Sequence, residues 1–474
     1  MRIDRLKSIV RKASPPALAM TLALLVLGLG ARPAAAVPAF AVQTGQPCQA
    51  CHVGGFGPQL TPFGREFKMH GYTTRTVDFN VPLSAMAVAS YIHTKTDQAS
   101  PPAPGYGVNN NTALDQISLF FAGGFGSHLG AFVQTTYDGV AKAWTWDNVD
   151  LRATTTTQIG GADVVLGASL NNNPGIQDAW NTLPAWGYPY TGSALAPSPS
   201  ASPLLAGGLA QNTLGATGYA WINKTVFLEA GAYGSPSVST LNHLGADPFA
   251  PGDINGLAPY GRVAWQSTVA GGTLEVGAFG MRTDMHPGRD RLTGLTDRYT
   301  DVGLDASFQK ALESGDVITV NGRYMHEQQT LNATCALDAM GGGGGGGTES
   351  LSVNTSLSTG CESNTLNDLR ADASYYWRNK VGFTVAAFDT TGSANPVIYP
   401  DSRNSKPDSS GVTFQVDGTP FGDGKGPLGP RFNMRVGVQY TVYTRFNGAG
   451  TDYDGFGANA SDNNTVRVFT WIAY

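Results

Sequence analysis

Charge is scarce in this chain of 474 residues. Asp, Glu, Lys and Arg together make up 14%, where ordinary soluble domains carry about 25%. A disordered chain is nevertheless excluded, because disorder goes with few aromatics and here Phe, Trp and Tyr make up 10%. Long apolar runs are missing as well. The run at residues 17–30 falls short of the roughly 20 residues that a spanning helix needs, and no later stretch reaches that length. A mean hydropathy of -0.13 likewise excludes a helical membrane protein. There is no basic excess: the net charge is -5, so no nucleic-acid partner is expected. Glycine is plentiful at 61 residues, with 18 Tyr and 21 Phe. That balance suits strands with one apolar and one polar face.

Residues 1–36 read as a secretory signal. Basic residues from Arg2 to Lys12 precede the apolar run, and Ala34, Ala35 and Ala36 supply a small-residue cleavage site. Their surplus of five positive charges, set against the net -5 of the whole chain, leaves about -10 on the remainder. If the exported chain crosses a membrane, it does so with strands.

Cysteine is rare, with four residues in two unlike pairs. Cys48 and Cys51 lie in TGQPCQACH, residues 44–52, which is the C-x-x-C-H signature of c-type haem attachment. Two thiols at this spacing add across the haem vinyl groups, and the following His52 is held under the iron as its proximal ligand. A zinc knuckle would want a second Cys or His pair nearby, and only His70 is near. A redox dithiol would want a βαβ unit, which the pattern lacks. Cys335 and Cys361 flank seven consecutive glycines, 341–347. A disulfide closing a loop is expected there, with a free thiol pair as the alternative.

Beyond the motif, Thr61 can cap a short helix whose first position is Pro62, and Gly71 would end it. At 100° per residue Phe63, Phe67 and His70 share a face, while Met69 points away. His70 is the better candidate for a sixth iron ligand. Met69 is the alternative and would raise the reduction potential. A site with no second protein ligand stays open. The segment 37–80 is too small to wrap a haem by itself.

From about residue 82 the chain alternates with period two. In 300–308, Val302, Leu304, Ala306 and Phe308 alternate with Asp301, Gly303, Asp305 and Ser307; in 432–443, Met434, Val436, Val438, Tyr440 and Val442 alternate with Asn433, Arg435, Gly437, Gln439 and Thr441. A soluble sandwich alternates too. Three features favour a membrane barrel: strand lengths that suit a tilted bilayer crossing, alternating short and long connections, and a last strand ending on Tyr474. Sixteen strands are predicted, at 82–95, 113–123, 129–138, 147–159, 162–171, 214–223, 225–235, 258–268, 273–284, 297–309, 317–329, 366–377, 381–390, 410–420, 431–445 and 465–474. The weakest is 410–420, and without it the strand count would be odd. The fold class expected is all-β: a 16-stranded antiparallel transmembrane barrel, residues 81–474, with a haem-c segment at 37–80 plugging the lumen. Asp150, Arg152, Glu229, Glu275, Asp301, Asp305, Arg323, Arg370, Asp372 and Arg435 would face that lumen as a hydrated wall of mixed charge.

On these features the chain resembles the fused outer-membrane cytochrome–porins, a family that includes the outer-membrane cytochrome of iron-oxidising bacteria. The matching string is FAVQTGQPCQACHVGGFGPQLTPFGREFKMHGYT, residues 40–73. NNPGIQDAWNTLPAWGYPY at 172–190 and DNNTVRVFTWIAY at 462–474 are similar to the group as well. In AVQTG the chain lacks an Arg that often stands there in the family. The resemblance implies one covalent haem c, attached at Cys48 and Cys51 and ligated by His52. It also implies electron transfer across the outer membrane, from an extracellular donor such as Fe(II) to a periplasmic carrier. Physical reasoning agrees: a hydrocarbon layer about 30 Å thick is too wide for one efficient step from a haem on its periplasmic face, so the haem would have to lie inside the barrel. Two rivals are a solute porin with an accessory cytochrome segment and a peroxidase-like haem enzyme. No distal acid–base pair supports the enzyme.

Overall fold

The structure is a computed structural model that describes residues 38–77, 81–340 and 361–474. The expected signal segment and the glycine tract lie outside the described residues. Among the described residues, seventeen strands form one antiparallel sheet. They are β1 (Leu83–Thr94), β2 (Asn111–Phe125), β3 (Leu129–Asp138), β4 (Ala143–Ile159), β5 (Ala162–Asn171), β6 (Leu214–Ile222), β7 (Val226–Gly234), β8 (Gly252–Ile254), β9 (Ala258–Val269), β10 (Gly272–Pro287), β11 (Asp297–Ala311), β12 (Val317–Thr330), β13 (Ser363–Trp377), β14 (Val381–Gly392), β15 (Ser409–Gly418), β16 (Asn433–Arg445) and β17 (Thr465–Ala473).

Each long strand pairs with its neighbours in sequence, and β17 returns to β1 with Ala473 opposite Met86, which closes the sheet. Closure leaves no edge with unpaired backbone groups. Sixteen strands make the barrel. The three residues of β8 only add to the far end of β10, opposite Met285 to Pro287. The expected strand 410–420 is β15, paired on both sides.

Alternation sets the two faces. Leu151, Leu228, Val263, Leu304 and Val436 point out and are exposed, while their neighbours Asp150, Glu229, Arg262, Asp305 and Arg435 point in and are buried. A one-residue slip would exchange these sets, so the pattern fixes the register. At one end the strands join through short turns such as 160–161 and 270–271; at the other, long segments such as 172–213 connect them.

The interior corrects one expectation. Most of the inward charges do not form a hydrated wall, although Arg323, Arg370 and Asp372 stay half-buried. Asp150, Arg152, Glu275, Asp305 and Arg435 are almost wholly buried. Arg262 pairs with Asp178 at 3.1 Å, Glu275 at 3.1 Å and Asp305 at 2.7 Å. Arg152 pairs with Asp150 at 2.8 Å. The reason lies in the loop 172–213, which turns inward and buries Asn172 to Leu183 among these groups. An ion taken from water needs a partner; the loop supplies the Asp178 carboxylate to Arg262 and the Gln177 carbonyl to Arg152, and the other partners stand on the strands. Cys335 and Cys361 form a disulfide, as expected.

Candidate functional site

The motif occupies one helical turn, α1 (Pro38–Thr44) being followed by α2 (Cys48–Cys51). The His52 amide donates to the Cys48 carbonyl at 2.8 Å. Residues 52–60 then fold back on themselves, with Val53 N–H donating to Gln59 O at 2.9 Å. Helix α3 (Pro62–Met69) follows. As the sequence predicts, Thr61 caps it, its hydroxyl accepting from the Gly64 amide at 3.2 Å. The Thr61 hydroxyl also donates to Ala50 O at 2.5 Å, and its amide to Cys51 O at 2.9 Å. One residue therefore starts the helix and ties it to the motif. Gly64 permits the contact: a Cβ there would lie 2.3 Å from the Cys51 carbonyl oxygen.

Barrel side chains hold this segment. The Gly54 amide donates to Asn379 Oδ1 at 2.6 Å, and Asn433 Nδ2 donates to Gly55 O at 2.7 Å. Gly54 has a φ of +67°, and a Cβ there would fall 2.4 Å from the Tyr376 ring, so both conformation and space require glycine. Asn181, on the inward loop, brackets the fold-back: it accepts from the Leu60 amide at 2.9 Å and donates to Pro58 O at 2.9 Å. Lys68 Nζ donates to Ile176 O and Asp178 O, both at 2.7 Å, and lies 4.8 Å over the Trp186 ring. Tyr72 donates to Asp150 at 2.6 Å. Phe67 packs edge-on against Phe40 at 4.9 Å, a contact of about 0.5–1.5 kcal/mol beyond its buried area.

These contacts border a cavity of about 420 Å³. Cys48, Cys51 and His52 line it together, so the three predicted residues are brought to one place. Phe56, Phe67, Phe120, Phe132, Trp186 and Trp471 line it as well. Burial pushes the Cys48 thiol up, and burial followed by the neighbouring Cys48 pushes Cys51 up to about 12. Burial, with help from the Arg435 charge, lowers His52 to about 4. The imidazole is therefore neutral at physiological pH, the form that ligates metals. Its Nδ1 is buried and has no hydrogen-bond partner. Two thiols and a neutral imidazole facing one apolar cavity are the donor set that a covalent haem c requires.

Neither candidate for the sixth ligand lines this cavity. Gly64, Phe67 and Lys68 of α3 face it, and Phe63 is exposed. At 100° per residue, His70 and Met69 then lie more than about 100° from that face. His70 Nδ1 is 2.8 Å from Glu66 O, and its ring meets Trp221 edge-on at 6.3 Å. Met69 is fully buried among Val165, Tyr219, Trp221 and Phe227. Sequence reasoning chose the helix face from its aromatics; Gly64 marked the face that approaches the motif. Sequence reasoning also passed over Asn181, Asn379 and Asn433, whose partners lie far away along the chain.

No known family model matches the chain, and no curated protein sequence matches it. Among solved structures it is similar to an anion-selective porin from Comamonas acidovorans, at 14% identity and a TM-score of 0.42 over 83% of this chain and 98% of that one. It is similar to OmpF of Salmonella typhi in complex with daunomycin, at 12% identity and a TM-score of 0.42 over 83% and 97%. It is similar to the outer membrane channel DcaP of Acinetobacter baumannii, at 11% identity and a TM-score of 0.44 over 83% and 96%. The barrel here is defined by its own strand pairing.

Proposed function

We propose that this chain is an outer-membrane electron carrier, with residues 37–80 a monohaem cytochrome c segment that plugs a porin-like barrel. The observation that carries the reading is the shared cavity: Cys48, Cys51 and His52 face an aromatic wall inside a closed barrel. Cys48 and Cys51 would hold the haem covalently, and His52 would ligate its iron. The haem supplies one-electron redox chemistry. The aromatic wall would lower the polarity around it, and surroundings of that kind tune potential. The outward apolar face of the strands suits lipid. An extracellular donor, Fe(II) among the candidates, would pass electrons to a periplasmic carrier near the short-turn end, where Gln49 contacts Gly422.

The reading is tested by the mass and the reduced-minus-oxidised spectrum of the purified protein. One covalently added haem per chain with a low-spin spectrum is expected; an unmodified chain would overturn it. A second reading, a solute porin, is favoured by the barrel, since sixteen strands enclose enough space for an aqueous channel. Single-channel conductance separates the two: the filled lumen described above is expected to keep conductance low.

A further inference from the structure

A haem held by His52 has a second axial position, and neither His70 nor Met69 faces the cavity. Besides Cys48, Cys51 and His52, five side chains able to bind iron line it: Lys68, Tyr72, Met86, Asp147 and Tyr190. Three are engaged. Lys68 donates to two backbone carbonyls, Tyr72 donates to Asp150, and Asp147 accepts from the Thr136 hydroxyl at 2.7 Å. The Tyr190 hydroxyl has no hydrogen-bond partner, so nothing fixes where its oxygen points. Met86 differs, because a single neutral donor orients its sulfur.

We propose that Met86 is the ligand opposite His52; the inference rests on the haem reading above. Met86, Ala473 and Asn433 stand opposite one another across β1, β17 and β16. Neighbouring strands lie about 4.8 Å apart. Met86 is therefore roughly 10 Å round the wall from Asn433, the residue that lies beside the Cys48 thiol and grips Gly55. Its thioether is oriented: Trp471 Nε1–H donates to Met86 Sδ at 3.1 Å. Trp471 in turn packs edge-on against Phe56 of the motif segment at 4.8 Å. That bond uses one of the two lone pairs on the sulfur, and Met86 lines the cavity. A thioether is neutral, so it adds no charge to an apolar pocket. It also raises the potential relative to a second imidazole, which suits acceptance of electrons from a weak reductant.

The test uses the full-length, haem-loaded protein in detergent. The ferric protein is expected to show the near-red charge-transfer band of thioether-ligated haem. Met86→Leu should abolish that band and shift the midpoint potential downward, while Met69→Leu and His70→Gln leave both unchanged. A wild-type protein without the band, a band that survives Met86→Leu, or a band lost in Met69→Leu overturns the proposal while the haem reading stands. Absence of covalent haem from the wild-type chain overturns the haem reading itself. Should Met86→Leu fail to assemble, Met86→His offers nitrogen at the same position and is expected to exchange the band for a bis-imidazole spectrum.

Discussion

Lys68 Nζ lies 2.7 Å from the backbone oxygen of Asp178. The bond joins the haem-motif segment to the loop that fills the barrel, and Lys68 is 6% exposed. Burial disfavours the charge on this amine, so the bond counts as an ordinary one of about 0.5–1.5 kcal/mol. Lys68→Met is therefore expected to loosen residues 38–77 by that amount. Limited proteolysis across a urea series checks it: cleavage of the segment should begin at lower urea, with the barrel itself intact.

The same lysine gives a pH dependence. Burial, then the Arg152 charge, lowers it from 10.5 to about 7. Between those values the released segment binds more protons at this site than the docked one, so docking strengthens as pH rises. Docking through this group is weakest below pH 7 and fully strengthened above 10.5. Proteolytic protection of residues 38–77 should gain more across that window in the wild-type chain than in Lys68→Met.

Asp178 carries a second load. Its carboxylate pairs with Arg262 and accepts from the amides of Trp180, Thr182 and Leu183 at 3.0, 3.0 and 3.1 Å. Removing one partner of a buried pair costs about 3–5 kcal/mol. Asp178→Ala should let the loop swing out of the lumen, and single-channel recordings should then show higher conductance than for the wild-type chain.

Gly64 tests how closely α3 must approach the motif. Gly64→Val would set new carbon against the Cys51 carbonyl, and overpacking costs about 1–3 kcal/mol. The expected outcome is a barrel of normal assembly with less covalent haem per chain, measured by intact mass.

Much of this was legible beforehand because the barrel is a local code. Period-two alternation in segments such as 300–308 depends only on neighbours, and it placed β11 within two residues at its end. The C-x-x-C-H string is equally local, and so is the Thr61 cap. What stayed hidden depends on contacts between residues distant in sequence. Nothing around Arg262 announces Asp178, so the inward turn of 172–213 is hidden in the sequence and the interior charges read there as hydrated. The orientation of α3 is set by Gly64 against Cys51 and by Lys68 against the loop, not by its aromatic stripe. Met86 reads as one more residue of an alternating strand until its register with Ala473 and Asn433 is known.

Electron conduction through the barrel is tested most directly in liposomes that enclose an electron acceptor, with a membrane-impermeant reductant outside. The wild-type, haem-loaded protein is predicted to reduce the enclosed acceptor, and a Cys48→Ser, Cys51→Ser double variant is predicted not to. An acceptor that stays oxidised with the wild-type protein, or is reduced equally fast with the double variant, would contradict conduction by the haem.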